Sequence, residues 1–449
     1  MLARNMDTQR ENSMTDYNKE LISFLDKSPT AFHVIANIKA RLEAEGYTEL
    51  VESAKWELSE GGKYFVTRND SSIIAFRVPR FNFTGFMISA AHSDSPAFKV
   101  KENPEIVENG YVKLNVEGYG GMLMAPWLDR PLSVAGRVIV KSGNRYEVKL
   151  VNVDRDLLII PNVAIHMNRD ANKSQTWNAQ VDMLPVLGSA DEAKGSFMRI
   201  IAESAGVSES DIISHDLFLY VRDNGKVWGG SEEYISAPHL DDLQCAYGCL
   251  EGFIAAKNSH SVPVLAVFDN EETGSLTKQG ADSTFLDEVL KRISLASGKD
   301  EEGHYRAVSS SFMVSADNAH AVHPNHPEKA DPVNRPAINK GIVIKFNAAQ
   351  HYTTDAVSCA VYRDLCESND IPVQVFTNRS DTRGGSTLGN VSNAHVSLNT
   401  VDIGLAQLAM HSCYETVGAR DTKHLVEAMT IFYSKTFRVD AGGSFELLD

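Results

Sequence analysis

Cysteine is scarce in this chain: Cys245, Cys249, Cys359, Cys366 and Cys413 are the only five in 449 residues. The number is odd and no pair has CxxC spacing, which excludes a secreted disulfide framework and points to a reducing, cytoplasmic home. Positive charge is also short, with 43 Lys and Arg against 59 Asp and Glu. A net charge of −16 leaves no basic surface for nucleic acid, so no nucleic-acid partner is expected. No apolar run reaches membrane-spanning length, so no membrane partner is expected either. The first residues, MLARNMDTQRENSM, lack the apolar stretch of a signal peptide. Residues 1–14 are expected to be a disordered leader, with Met1, Met6 and Met14 as alternative starts.

What is present fits a large globular chain. With 43% hydrophobic and 23% charged residues it can bury one large or two ordinary cores. Ser28-Pro29-Thr30 punctuates the start of a helix in which Phe32, Ile35, Ile38 and Leu42 recur at helical spacing until Gly46. The apolar runs Ile73 to Val78 and Phe86 to Ala91 read as strands, the second delivering His92. From about Phe98 to Tyr234 the texture is β-rich, with alternating segments such as YVKLNVEGY, SVAGRVIV and YEVKLVNV.

From Ser236 onward, DDLQCAYGCLEGFIAA reads as a helix and VPVLAVF, SSFMVSA, GIVIKFN and IPVQVFT read as strands. TTDAVSCAVYRDLC and IGLAQLAMHSCYETVG are expected to be helices, and Met429, Phe432, Tyr433 and Phe437 to pack a C-terminal helix into the core or another subunit. The expectation is an α/β catalytic domain over 15–98 and 236–449, interrupted by a β-rich insertion over 99–235.

Seven residues carry the chemistry: His92, Asp94, Asp241, Glu271, Glu272, Asp317 and His411. Metal-assisted hydrolysis needs imidazole and carboxylate ligands from several strand ends, one carboxylate to bridge two ions, and another free to take a proton from water. Glu271-Glu272 is the strongest local signal, because it follows the buried-strand pattern VPVLAVF at the edge where α/β sheets place ligands. The lesser, structural reading of the pair is a cap on the next helix, acting through Thr273 and Ser275. The segment RSDTRGGSTLGN, with Gly384, Gly385 and Gly389, invites a phosphate-loop reading but lacks the GxxxxGK[ST] pattern.

HSDSPAFKVK, WLDRPL, IPNVAIH, PHLDDL, DNEETGS, SADNAHAVHPN, VIKFN, GGSTLG and DIGLAQLAMHS occur in this order between Tyr17 and Phe437. Together they resemble the M18 family of metalloaminopeptidases, typified by aspartyl aminopeptidase. The resemblance implies a dinuclear-zinc exopeptidase catalytic domain with an inserted β-rich dimerisation domain, assembled as a tetrahedral dodecamer of dimers and acting on short peptides. It implies that Asp241 bridges two divalent ions, with His92 and Asp317 completing one set and Glu272 and His411 the other. Glu271 is then the general base, and Asp94 holds the other nitrogen of His92.

By the same resemblance, His166 supplies an oxyanion donor from a neighbouring subunit, and Lys345 meets an acidic substrate side chain, with His320 and His323 beside Asp317. The ligand set accepts zinc, manganese or cobalt. Preferred substrates are then peptides with N-terminal Asp or Glu. The alternatives are a preference for neutral residues such as Leu, or a non-catalytic cargo-binding assembly. His239, Asp242 and His351 stand where members often carry Arg, Asn and Arg. A cis peptide bond is expected between Asp241 and Asp242.

Overall fold

The computed structural model describes residues 16–440 and 443–449; the leader expected over 1–14 lies outside them. Its framework is a thirteen-stranded mixed sheet flanked by helices, the α/β class expected from the sequence. Val262–Phe268, Phe86–His92, Phe312–Ala316 and Asn399–Leu408 lie side by side at its centre, each parallel to the next. Parallel neighbours need long crossovers, supplied here by helices that include Leu240–Ala255, Phe285–Ala296 and Ala356–Glu367.

Consecutive residues of these strands enter opposite apolar layers. Leu265 and Val267 pack in one layer with Leu243, Phe253, Leu425 and Phe432. Val264 and Ala266 pack in the other with Phe285, Leu286, Val289 and Ile293. A strand buried on both faces has no polar positions to alternate with, so VPVLAVF reads as an unbroken apolar run.

The same physics corrects one expectation. IGLAQLAMHSCYETVG, expected to be a helix, is instead the end of strand Asn399–Leu408, a turn, and strand Glu415–Gly418. Residues Thr400 to Gln407 are all buried, which erases the period that separates a strand from a helix. The turn is made by Ala409 and His411 at φ 56° and 64°. Phe437 likewise leaves the expected helix: Asp421–Ser434 is helical, and Phe437 belongs to strand Thr436–Val439, although Met429, Phe432, Tyr433 and Phe437 all reach the core. The helices Ala31–Ala44, Leu240–Ala255 and Ala356–Glu367 stand where the patterns put them.

A second sheet of six antiparallel strands is drawn from residues between 97 and 221. Leu132–Ser142 pairs with Arg145–Asn152 and Ile212–Val221, and Ala97–Glu108 with Ile212–Val221 and Tyr111–Tyr119. It has its own core around Phe98, Trp127, Leu132, Val134, Leu217 and Leu219. Lys226–Trp228 and Tyr234–Ala237 belong to the large sheet. The two sheets are joined through residues 93–96, immediately after His92.

Candidate metal centre

The four parallel strands point their carboxyl ends to one edge, and the candidate ligands gather there, as expected for an α/β sheet. His92 ends Phe86–His92, Asp317 follows Phe312–Ala316, and His411 lies in the turn that follows Asn399–Leu408. Glu271 and Glu272 lie in a short 3-10 turn, Glu271–Thr273, beyond Val262–Phe268. Asp241 comes from the opening of Leu240–Ala255, where φ −86° and ψ 109° depart from helix, and the expected cis Asp241–Asp242 bond follows it.

Ligand atoms converge in groups that share Asp241. Its Oδ1 lies 3.6 Å from His92 Nε2, and its Oδ2 lies 3.5 Å from His411 Nε2. His411 Nε2 is 3.3 Å from Glu272 Oε2. Ligands about 2.1 Å from a tetrahedral ion stand about 3.4 Å apart, so these separations fit coordination edges. His92, Asp241 and Asp317, with Asp242, form one group able to hold a metal ion, and Asp241, Glu272 and His411 form another. Glu271 is grouped with His92 and Glu272.

The supporting shell is denser than the sequence revealed. Asp94 does face the second imidazole nitrogen of His92, but its backbone carbonyl is the acceptor, 3.0 Å from Nδ1, while its carboxylate stands 3.4 Å away. That carboxylate accepts the backbone N–H of Glu271 at 3.1 Å and of Glu272 at 3.2 Å, and the phenol O–H of Tyr119 at 2.7 Å. Glu415, not singled out from sequence, is buried and accepts the backbone N–H of both Asp241 (2.9 Å) and His411 (2.8 Å). Its signal was only its place in HSCYE, four residues after His411, and the helical reading of that segment concealed it.

Lys345 is buried rather than solvated: its ammonium donates to the Asp317 carbonyl at 2.7 Å and lies 3.5 Å from that residue's carboxylate. His320 is exposed next to Asp317 and Asn318, its ring against Phe376. His323 is exposed and beside His326. His166 is exposed in the stretch between Arg145–Asn152 and Val186–Ser189, and the groups able to hold a metal do not include it.

Among the family departures, His239 caps Leu240–Ala255 from a left-handed conformation, and burial pulls its imidazole down to about 4. His351 is half-buried in the loop before Ala356–Glu367. Asp242 Oδ2 accepts the backbone N–H of His92, and burial pushes its carboxyl well up. In the Gly-rich loop, Gly389 packs against Thr353 and Asp402, and the Asp402 carboxylate accepts from both Thr353 and Thr387.

The residues fit a divalent cation on electrostatic grounds. Asp241 Oδ1 and Glu272 Oε1 are buried acceptors with no hydrogen-bond partner, each costly to bury unless a cation stands against it. Burial, reinforced by Asp317, Asp94 and Asp241, pushes Glu271 up to about 8, and burial with Asp241 pushes Glu272 well above the usual carboxylate range. A divalent ion inverts that balance by favouring the ionised ligands.

This fold and ligand set define a metallo-exopeptidase. The family model described as aminopeptidase I zinc metalloprotease (M18) matches residues 24–433. A Clostridium acetobutylicum protein described as a probable M18 family aminopeptidase 2 is 49% identical over 427 residues, 93% of this chain and 99% of its own. A Pseudomonas aeruginosa protein of the same description is 41% identical over 428 residues, 94% of this chain and 99% of its own. Among solved structures, the cryo-electron-microscopy structure of the Ape4 and Nbr1 complex matches with TM-score 0.91 at 33% identity, over 94% of this chain and 86% of that one. The S. cerevisiae mApe1 dodecamer matches with TM-score 0.82 at 29% identity, over 94% and 97%. The chain belongs to the M18 family of zinc aminopeptidases.

Proposed function

We propose that the protein removes the N-terminal residue, preferably Asp or Glu, from short peptides at a centre of two divalent ions, zinc before manganese or cobalt. The observation that carries this reading is the pair of ligand groups sharing Asp241 at coordination-edge spacing. In it, His92 and Asp317 complete one position and Glu272 and His411 the other, with Asp241 between. When bound, the ions supply Lewis acidity and make water a nucleophile near neutral pH.

The remaining work belongs to the chain. Glu271 stands beside Glu272 at the end of the Val262–Phe268 strand and takes the proton from the attacking water. Asp94 fixes that turn through the two backbone amides. Lys345 supports the acidic preference, as a buried ammonium at the edge of the cluster beside Asp317, and His320 and His323, which follow Asp317 in the chain, are proposed to meet substrate with it.

In the same reading, the unit built on the large sheet is the proteolytic domain, strands Lys226–Trp228 and Tyr234–Ala237 included, and the unit built on the six-stranded sheet, residues 97–221, is the dimerisation domain. His166, exposed on that second unit, serves the centre of a neighbouring copy as oxyanion donor. A homo-oligomer follows, built from dimers into a tetrahedral dodecamer like the dodecameric S. cerevisiae relative, with a cytoplasmic home consistent with five free, buried cysteines.

The test is release of the first residue from matched peptides beginning with Asp, Glu, Leu, Lys or Ala, using native, chelated and metal-restored protein, and repeated with Lys345→Met. Chelator-sensitive cleavage favouring Asp or Glu, with the preference lost in the variant, is the expected result. Preference for Leu would keep the centre and overturn the acidic pocket. Absence of cleavage with every metal would overturn the enzyme.

A further inference from the structure

The six-stranded sheet does not stand apart from the centre, and its reach is uneven. Strand Tyr111–Tyr119 ends where its chain crosses to the ligand edge of the large sheet. From there, Tyr119, Gly120, Gly121 and Leu123 each meet Asp94, Glu272 or His411. The Tyr119 hydroxyl donates to Asp94 Oδ2 at 2.7 Å and accepts from Asn270 Nδ2 at 2.8 Å. Asp94 in turn holds the amides of Glu271 and Glu272.

Gly120 has φ +73°, and a Cβ there would stand 3.1 Å from the Glu272 Cβ. Its backbone therefore lies directly against the ligand, in a conformation that only glycine adopts without strain. The Gly121 carbonyl oxygen accepts from His411 Nδ1 at 2.5 Å. That bond fixes the tautomer in which Nε2 carries the lone pair and faces Glu272 and Asp241. Leu123 N–H closes the set by donating to the His411 carbonyl at 3.0 Å.

The other position is held from within the large sheet and its immediate exit. The His92 imidazole is oriented by the Asp94 backbone carbonyl, the His92 amide by Asp242, and Asp317 by Lys345.

We infer that Tyr119–Leu123 is a positioning strap through which the six-stranded sheet directly sets the Asp241–Glu272–His411 metal position, while it meets the His92–Asp241–Asp317 position only through Asp94, whose backbone carbonyl, not the carboxylate oxygen that Tyr119 holds, orients His92. Tyr119 and Gly120 are positioning residues: they act on Glu272 and His411 and touch no substrate. The two positions are therefore unequal, and a disturbance of the six-stranded sheet reaches one of them first. This inference rests on the dinuclear reading above.

The test is stepwise cobalt(II) binding to chelator-stripped full-length protein, followed by calorimetry and by the visible absorption of the bound ion. Wild type, Tyr119→Phe and Gly120→Ala are compared. Wild type takes up two ions. Each variant binds the first with wild-type affinity and the second about 10- to 100-fold more weakly, and excess metal restores its kcat, which a folding defect would not allow. Tyr119→Phe keeps the ring packed on Phe218 and loses only the hydroxyl, so it remains informative if Gly120→Ala fails to fold. Equal weakening of both positions, or none in either variant, overturns the strap. Fewer than two ions in wild type overturns the dinuclear reading itself, and the strap with it.

Discussion

Glu415 holds the backbone N–H of Asp241 at 2.9 Å through one carboxylate oxygen and, through the other, that of His411 at 2.8 Å. One buried acid thus joins the proposed shared ligand, Asp241, to the last candidate ligand in the sequence, His411. Glu415→Ala leaves two buried donors without an acceptor, each costing about 1–3 kcal/mol, and metal affinity falls about 10- to 100-fold. Glu415→Gln, which keeps one acceptor oxygen, falls in between. Thermal melting and metal content of the three proteins decide it, and wild-type values for Glu415→Ala would remove the residue from the account.

Glu271→Gln preserves shape and removes only the proton acceptor. With Glu271 as the proposed base and not a ligand, turnover drops by about 10²- to 10⁴-fold while metal content stays at the wild-type level; a fall in metal content would make it a ligand, as its grouping with His92 and Glu272 allows. Steady-state kinetics alongside elemental analysis read both quantities. Near-wild-type turnover would assign the proton transfer to another group.

Metal removal makes stability depend on pH in a defined direction. Burial holds Glu271 at about 8 in the metal-free protein, against about 4.3 for an unfolded glutamate. The folded state therefore binds more protons between these values, and the stability linked to them is present at low pH and lost as pH rises through about 8. Burial also raises Glu272 and Glu415, which adds to the same slope. Chelated protein should melt at lower temperature at about pH 9 than at about pH 6, and zinc should flatten the difference. A melting temperature that rises with pH in chelator would contradict this.

Much of this candidate centre was legible because the residues that converge in it sit where sequence patterns change. His92 ends an apolar run, Glu271 and Glu272 follow another, and Asp241 opens a helix whose apolar spacing is plain. The strand Asn399–Leu408 was not legible, since burial on both faces left it without the alternation that marks a strand. Glu415 was lost with it, because a residue four positions past His411 has one meaning on a helix and another across a turn. The hold of Asp94 on the Glu271 and Glu272 amides was hidden for a different reason. It spans 177 and 178 residues of sequence, and no local pattern encodes a contact between a side chain and so distant a backbone.

The strand order also sets a sequence of events in folding. The central strands Phe86–His92, Phe312–Ala316 and Asn399–Leu408 are neighbours in space although far apart along the chain, so their pairing waits on the closure of long loops. The six-stranded sheet draws its strands from residues 97 to 221 and contains the hairpins Ala97–Glu108 with Tyr111–Tyr119 and Leu132–Ser142 with Arg145–Asn152. Its contacts are shorter in range, and loop-closure entropy favours their earlier formation. On the proposed reading, Tyr119–Leu123 would be a template in place before His411 arrives, and that candidate ligand would dock onto a surface already built to receive it.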